Sequence, residues 1–216
     1  MTQQDIQVGW RQNIWLVPVA AVLLALLVAT LPPFLTFDPS KQQAPLDPDA
    51  PSLHYGLILG HALFGTVAIV TVCLGVWPWL RIRHAAVHRW SGRLYVYFGA
   101  LPSALLTLIV NYLHSGWHGD IGGYVQGGMW FLTTLIGQVA IRQRKYLRHR
   151  RWMLYSFAMT TSVIWGPIAE KILPADGFPY LLELTRWVGW LVNLLVIKWW
   201  LDRTDRRGVV IQVPAR

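Results

Sequence analysis

The chain has 216 residues, of which 54% are hydrophobic and only 13% are charged. A soluble domain carries about 25% charged residues, so this composition excludes an ordinary soluble protein and indicates a membrane protein. The net charge of +9 does not predict nucleic-acid binding, because the charges follow the membrane pattern described below, and the single cysteine, Cys73, excludes a disulfide framework.

Six apolar runs follow one another along the chain, and each is long enough to cross roughly 30 Å of hydrocarbon as a helix. They lie near residues 13–35, 54–80, 92–113, 123–142, 152–173 and 179–201. We therefore predict an all-α, polytopic membrane protein with six transmembrane helices in a single integral membrane domain, residues 1–216.

The segments between the runs alternate in charge. Sixteen of the 19 Lys and Arg residues fall on one side of the predicted membrane, at Arg11, in the segments 81–93 and 142–151, and in the tail that begins with Lys198. Seven of the ten acids fall on the other side, in or beside the segments 36–53, 114–122 and 174–178. Short Lys/Arg-rich loops stay in the cytoplasm. We therefore predict cytoplasmic N- and C-termini, an extracytoplasmic loop at 36–53 and a cytoplasmic tail at 202–216.

Histidine is the candidate residue type, because it is the usual axial ligand of membrane b-type haems and a common proton carrier. His61 lies one to two turns inside the second run. An ionisable side chain at this depth usually faces the bundle interior and marks a pathway or a ligand. The alternative is a neutral histidine that is hydrogen-bonded to a backbone carbonyl of a neighbouring helix, and the sequence leaves both interpretations open.

A short motif recurs at the starts of the third and fifth helices, as HRW at 88–90 and HRRW at 149–152. Histidine, arginine and tryptophan at this place are typical of anchoring at the inner membrane surface. The repetition indicates a second interpretation, a tandem duplication in which a two-fold axis brings His88 and His149 to face each other. Two facing imidazoles can ligate a b-type haem, whose propionates would meet nearby arginines, namely Arg89, Arg93, Arg150 and Arg151.

A third candidate site is the pair His114 and His118, which lie four residues apart. On a helix the two side chains share one face and could bind a divalent metal or contact a haem. Gly116 and Gly119 favour a surface loop instead.

The stretches HALFGTVAIVTVCLGV, HRWSGRLYV and RHRRWML together resemble the bacterial integral membrane family called domain of unknown function 2306. The matching positions are His61 and Gly65, then His88, Arg89, Gly92, Arg93 and Tyr95, then His149, Arg150, Trp152 and Met153. The resemblance covers residues 54–173. It implies a protein of the bacterial inner membrane with a four-helix core over this range, and no particular activity. A more remote likeness to four-helix b-type membrane cytochromes implies haem b at His88 and His149, with His61 as the alternative ligand.

Three functions follow as hypotheses, and none of them needs a catalytic residue. The first is a non-enzymatic accessory or structural membrane protein whose basic inner face binds anionic lipid or a membrane partner subunit, since each juxtamembrane Lys or Arg contributes about 1 kcal/mol. The second is an electron-transfer subunit that binds haem b through His88 and His149. The third is a small-molecule transporter with His61 in its path, for which no paired broken helices are evident.

Overall fold

A computed structural model of the protein describes residues 16–38, 46–47, 49–115, 121–166, 168 and 181–206. Every regular element in these residues is a helix, which confirms the all-α prediction. The helices are α1 (Leu16–Thr30), α2 (Pro32–Leu35), α3 (Pro51–Val76), α4 (Pro78–Arg83), α5 (Ala85–Tyr95), α6 (Leu101–Ser115), α7 (Ile121–Arg142), α8 (Tyr146–Thr161) and α9 (Leu181–Arg206). A π-helical turn, Val96–Ala100, joins α5 to α6, and a 3-10 turn, Ser162–Ile164, follows α8.

Two of the described helical segments are long and apolar enough to cross a bilayer, namely α3 and the continuous segment Ala85–Leu113. Both display large apolar side chains on their surface, including Val70 and Leu105, which are 54% and 46% exposed. Such exposure suits contact with lipid. Helix α1 is apolar but has only 15 residues, so the prediction of six spans stays a prediction.

The long helices pack side by side. Helix α7 contacts α6 and α8, α3 contacts α5, α6 and α8, and α9 lies on α7 and α8. Small residues allow a close approach of the backbones of α3 and the π-helical turn. A Cβ atom built on Gly99 would lie only 2.9 Å from the backbone of Ala68. Contacts between small residues are typical of helix packing in membranes, where they let backbones approach closely.

The segment 81–93, predicted to be a connecting loop, is instead largely helical. Helix α3 ends at Val76 because Trp77, which precedes Pro78, has an extended backbone with ψ 109°. Helices α4 and α5 follow, with only His84 between them, so the third long helix begins at Ala85. The predicted span began only near residue 92, after three of the four arginines of this segment. It was wrong because alanine and arginine are good helix formers.

The connection predicted at 142–151 is shorter than expected for the same reason. Helix α8 begins at Tyr146, and only residues 143–145 separate it from α7. Arg144 adopts the left-handed conformation there, with φ 57°. Arg11 and the tail after Arg206 lie outside the described residues.

Candidate functional site

The arginine-rich segments come together at one end of the helix bundle. The guanidinium of Arg150, in the first turn of α8, lies 5.2 Å from the ring centroid of Trp200, near the end of α9. Arg81 in α4 interacts electrostatically with Arg150, and burial and this interaction both lower the pKa of Arg81. We call this region the basic end and define it by residues 81–93, 142–151 and 198–203.

His88 and His149 both lie at the basic end. Electrostatic interactions link His88 to Arg81, to His149 and to Arg89, and they link His149 to Arg81. The two histidines of the repeated motif therefore lie within electrostatic range of each other, and Arg81 lies within range of both. No local pattern in the sequence marks Arg81, because its position near the histidines depends on how α4 packs against α5.

His149 is oriented by a backbone carbonyl. Its Nδ1 atom lies 2.9 Å from the carbonyl oxygen of Gly137 in α7. A carbonyl oxygen only accepts, so Nδ1 is the donor and the neutral ring keeps its lone pair on Nε2. Burial lowers the pKa of His149, the bond to Gly137 opposes this effect, and the charge on Arg81 lowers the pKa further. The net result favours the neutral imidazole.

His88 is oriented differently. Its Nδ1 atom is buried and has no hydrogen-bond partner among the described residues. An unpaired N–H at this place would be costly, which favours the tautomer of His88 with its proton on Nε2. A buried nitrogen without a partner is also an atom that a bound group could satisfy.

Several arginines of the basic end stack on tryptophans. Arg93 lies 5.1 Å from the Trp90 ring centroid, and Arg203 lies 4.1 Å from that of Trp199. Arg89 is exposed on α5, and Arg151 is exposed on α8. Arginine over the face of an interfacial tryptophan is a favourable cation–π pair, and tryptophans are enriched at the membrane–water interface. This geometry matches the anchoring interpretation of the motif.

The basic end carries a large excess of positive charge. The segments 81–93 and 142–151 contain ten Lys and Arg residues, and no acid occurs between Asp49 and Asp120 or between Asp120 and Glu170. On α9 an acid does pair with a base, because Asp202 lies 2.8 Å from Lys198. A surface with this excess attracts anionic groups.

His61 is half-buried on α3 and contacts α6. Its Nδ1 atom lies 3.1 Å from the carbonyl oxygen of Ser103, 3.0 Å from the Ser103 hydroxyl and 3.2 Å from the Thr107 hydroxyl. The Ser103 hydroxyl donates to the carbonyl of His61, and the Thr107 hydroxyl donates to the carbonyl of Ser103. Since both hydroxyl protons are used in this way, Nδ1 of His61 is the donor in its own hydrogen bonds. The structure thus shows the hydrogen bond to a neighbouring helix, while a role for His61 as a ligand stays a prediction.

The metal prediction is not tested. His118 lies outside the described residues, and only the backbone of His114 is described, in α6. The described residues contain no group of three or more His, Cys, Asp or Glu side chains that could hold a metal ion.

A network of hydroxyl groups inside the bundle was not predicted from the sequence. The Tyr95 hydroxyl lies 2.5 Å from that of Ser156 and 2.8 Å from that of Thr160, and Trp130 donates to it from Nε1 at 3.4 Å. Ser156 also lies 2.6 Å from the Thr134 hydroxyl. The spacing of Ser156 and Thr160 indicates a polar stripe on α8, but the helix that faces this stripe cannot be read from the sequence.

Comparison with known proteins gives one match. The family described as "Predicted membrane protein (DUF2306)" matches residues 58–201. This range contains His61, His88 and His149, and it extends through most of α9, beyond the 54–173 of the resemblance. No curated protein and no solved structure matches the chain. Because the matched range is well over half of the sequence, the chain belongs to this family of predicted membrane proteins.

Proposed function

We propose that the protein is a six-span, non-enzymatic protein of the bacterial inner membrane whose basic end binds anionic phospholipid at the cytoplasmic surface. In this arrangement helices α3 and α5–α8 form the core, and both termini are cytoplasmic. The family match and the two apolar spanning segments support the membrane environment. The number of spans rests on the six apolar runs of the sequence, and the orientation rests on its charge pattern.

One observation carries the lipid proposal, namely the excess of positive charge at one end of the bundle. Arg81 of α4 and Arg150 of α8 interact electrostatically there, and Arg150 stacks on Trp200 of α9. Burial lowers the pKa of Arg81, so this charge is partly desolvated and would gain from an anionic neighbour. An anionic leaflet supplies such neighbours in the plane where the tryptophans lie.

The experiment is a competition between lipids. The full-length protein is purified in detergent, mixed with equal amounts of phosphatidylglycerol and phosphatidylcholine of the same chain length, and examined by native mass spectrometry. We expect preferential retention of phosphatidylglycerol, with a preference that falls as salt is raised. Equal retention of the two lipids at low salt contradicts the proposal. An acidic partner subunit would instead co-purify and compete with the anionic lipid.

Binding of haem b for electron transfer is the second candidate, and the proximity of His88 and His149 favours it. The hydrogen bond from His149 Nδ1 to Gly137 is the usual support of an imidazole that ligates through Nε2. Neither histidine lines the two surface cavities on α7 and α8 of the described bundle. The support is therefore the ligand chemistry and not a preformed space for a porphyrin.

Optical spectroscopy tests the haem candidate. The protein is expressed with an ample haem supply, and spectra are recorded after oxidation and after reduction with dithionite. A Soret band and a reduced α-band that are lost in both His88→Ala and His149→Ala would support ligation by this pair. A colourless protein, or bands that survive both substitutions, would contradict it.

A further inference from the structure

We propose that one anionic phospholipid binds to the α7–α8 hairpin, with an acyl chain along α7 and its phosphate at Arg148 and Arg151. This inference deepens the proposed function and rests on it, because it assigns a discrete site to the anionic lipid. The occupant is a whole lipid molecule, not a free phosphate ion.

The first half of the site is an apolar groove on α7. A cavity of about 230 Å³ is lined by Leu135, Ile136, Val139, Ala140, Gln143 and Arg148. The first five of these residues are spaced to lie along one face of α7 and its end. The groove is therefore apolar over its first four residues and becomes polar and cationic where α7 ends and α8 begins. An acyl chain with a headgroup attached has the same succession of apolar and polar parts.

The second half of the site is a cationic pocket on the first turns of α8. A cavity of about 350 Å³ is lined by Leu147, Arg148, Arg151 and Trp152. Arg148 and Arg151 are three residues apart and so share one face of the helix. Two guanidinium groups on one face can each donate two hydrogen bonds to a phosphate group. Trp152 belongs to the residue type that sits at the depth of the headgroups.

Arg148 lines both cavities, so the apolar groove and the cationic pocket are neighbours. The short turn at residues 143–145 causes this, because it brings the end of α7 directly to the first turn of α8. The chain has no acid between Asp120 and Glu170, so the charge of the α7–α8 hairpin is wholly positive. A headgroup with net negative charge matches this pair, whereas the cation of a choline headgroup opposes it.

The test compares two double variants of the full chain that lose the same charge. Arg148→Gln with Arg151→Gln removes both arginines of the pocket. Arg83→Gln with Arg93→Gln removes two exposed arginines that belong to the basic end but lie outside the proposed site, on α4 and α5, so it measures the effect of lost charge alone. Each protein is titrated with equal amounts of phosphatidylglycerol and phosphatidylcholine and examined by native mass spectrometry. Thermal melting in detergent verifies that both variants are folded.

We expect wild type and the α4–α5 variant to retain one phosphatidylglycerol at collision energies that remove all other lipids. The hairpin variant should lose its preference for this lipid by about tenfold or more, since two guanidinium groups are removed. An equal loss in both variants would overturn the discrete site and leave the proposed function standing. A wild type without preference for phosphatidylglycerol would overturn both. Displacement of the retained lipid by millimolar inorganic phosphate would show a plain phosphate site and would also overturn the inference.

Discussion

The hydroxyl oxygens of Tyr95 and Ser156 lie 2.5 Å apart and join α5 to α8 inside the bundle. Tyr95 is 2% exposed and Ser156 is fully buried. In a bilayer, polar side chains that hydrogen-bond across helices hold the helices together, since lipid offers them no other partner. Tyr95 lies within residues 58–201, which the family matches, and its contacts give this position a role in packing.

Replacing Tyr95 by phenylalanine tests this role. We expect Tyr95→Phe to lower the free energy of unfolding by about 1 kcal/mol, because the hydroxyls of Ser156 and Thr160 lose a partner. Tyr97→Phe is the matched control. The Tyr97 hydroxyl accepts from Gln138 at 2.6 Å but lies on a side chain that is 41% exposed. Thermal unfolding in detergent should show the larger loss for Tyr95→Phe, and equal losses would contradict a special role for the buried hydroxyl.

Gly99→Ala should destabilise the protein. The added methyl group would lie 2.9 Å from the Cα and N atoms of Ala68, and these backbone atoms cannot move aside without separating the helices, at a cost of about 1–3 kcal/mol. Gly92→Ala serves as the control, because nothing lies within 4 Å of the added atom. Alanine in a helix is favoured over glycine by roughly 0.5–1 kcal/mol. The melting temperature should therefore fall for Gly99→Ala and rise for Gly92→Ala. A Gly99→Ala protein as stable as Gly92→Ala would refute the close contact.

The stability of the protein should fall in mild acid partly because of His149. Its pKa is lower in the folded than in the unfolded state, chiefly through burial, so protons bind preferentially to the unfolded chain. The stabilisation is complete above the unfolded pKa of about 6.5 and is lost as the pH falls through the lower folded value. We expect His149→Gln to weaken the dependence of the melting temperature on pH between about 7.5 and 5.5. An unchanged slope in the variant would contradict this assignment.

The orientation in the membrane can be tested by labelling single cysteines. With Cys73 replaced by alanine, Asp49→Cys and Arg144→Cys place one thiol at an exposed position before α3 and one in the α7–α8 turn. A membrane-impermeant maleimide added to intact spheroplasts should label only the cysteine at position 49, since Lys/Arg-rich segments stay inside. Both cysteines should react after lysis. Labelling of position 144 in intact spheroplasts would reverse the proposed topology.

The sequence predicted those properties of the fold that depend on local composition along the chain. Low charge and long apolar runs predicted the helical class, and the segregation of arginine placed His88 and His149 in regions that share one end of the bundle. The helix starts at Ala85 and Tyr146 were missed, because arginine marks the membrane surface and also extends helices. Neither the nearness of Arg81 to both histidines nor the bond between Tyr95 and Ser156 was predictable, since both depend on how each helix is rotated about its axis.

The π-helical turn Val96–Ala100 determines how α6 is rotated about the helix axis relative to α5. Ser91, Tyr95, Gly99, Ser103 and Thr107 recur every four residues along the segment 85–115. In an uninterrupted α-helix each step of four advances by about 40° around the axis, so Ser91 and Thr107 would face nearly opposite sides. The π-helical turn contains one extra residue, which reduces the accumulated rotation around the helix axis. Deleting one residue from the turn should therefore rotate Ser103 and Thr107 away from His61, while Tyr95 keeps its place. These five residues thus set the rotation of α6 about the helix axis relative to α5.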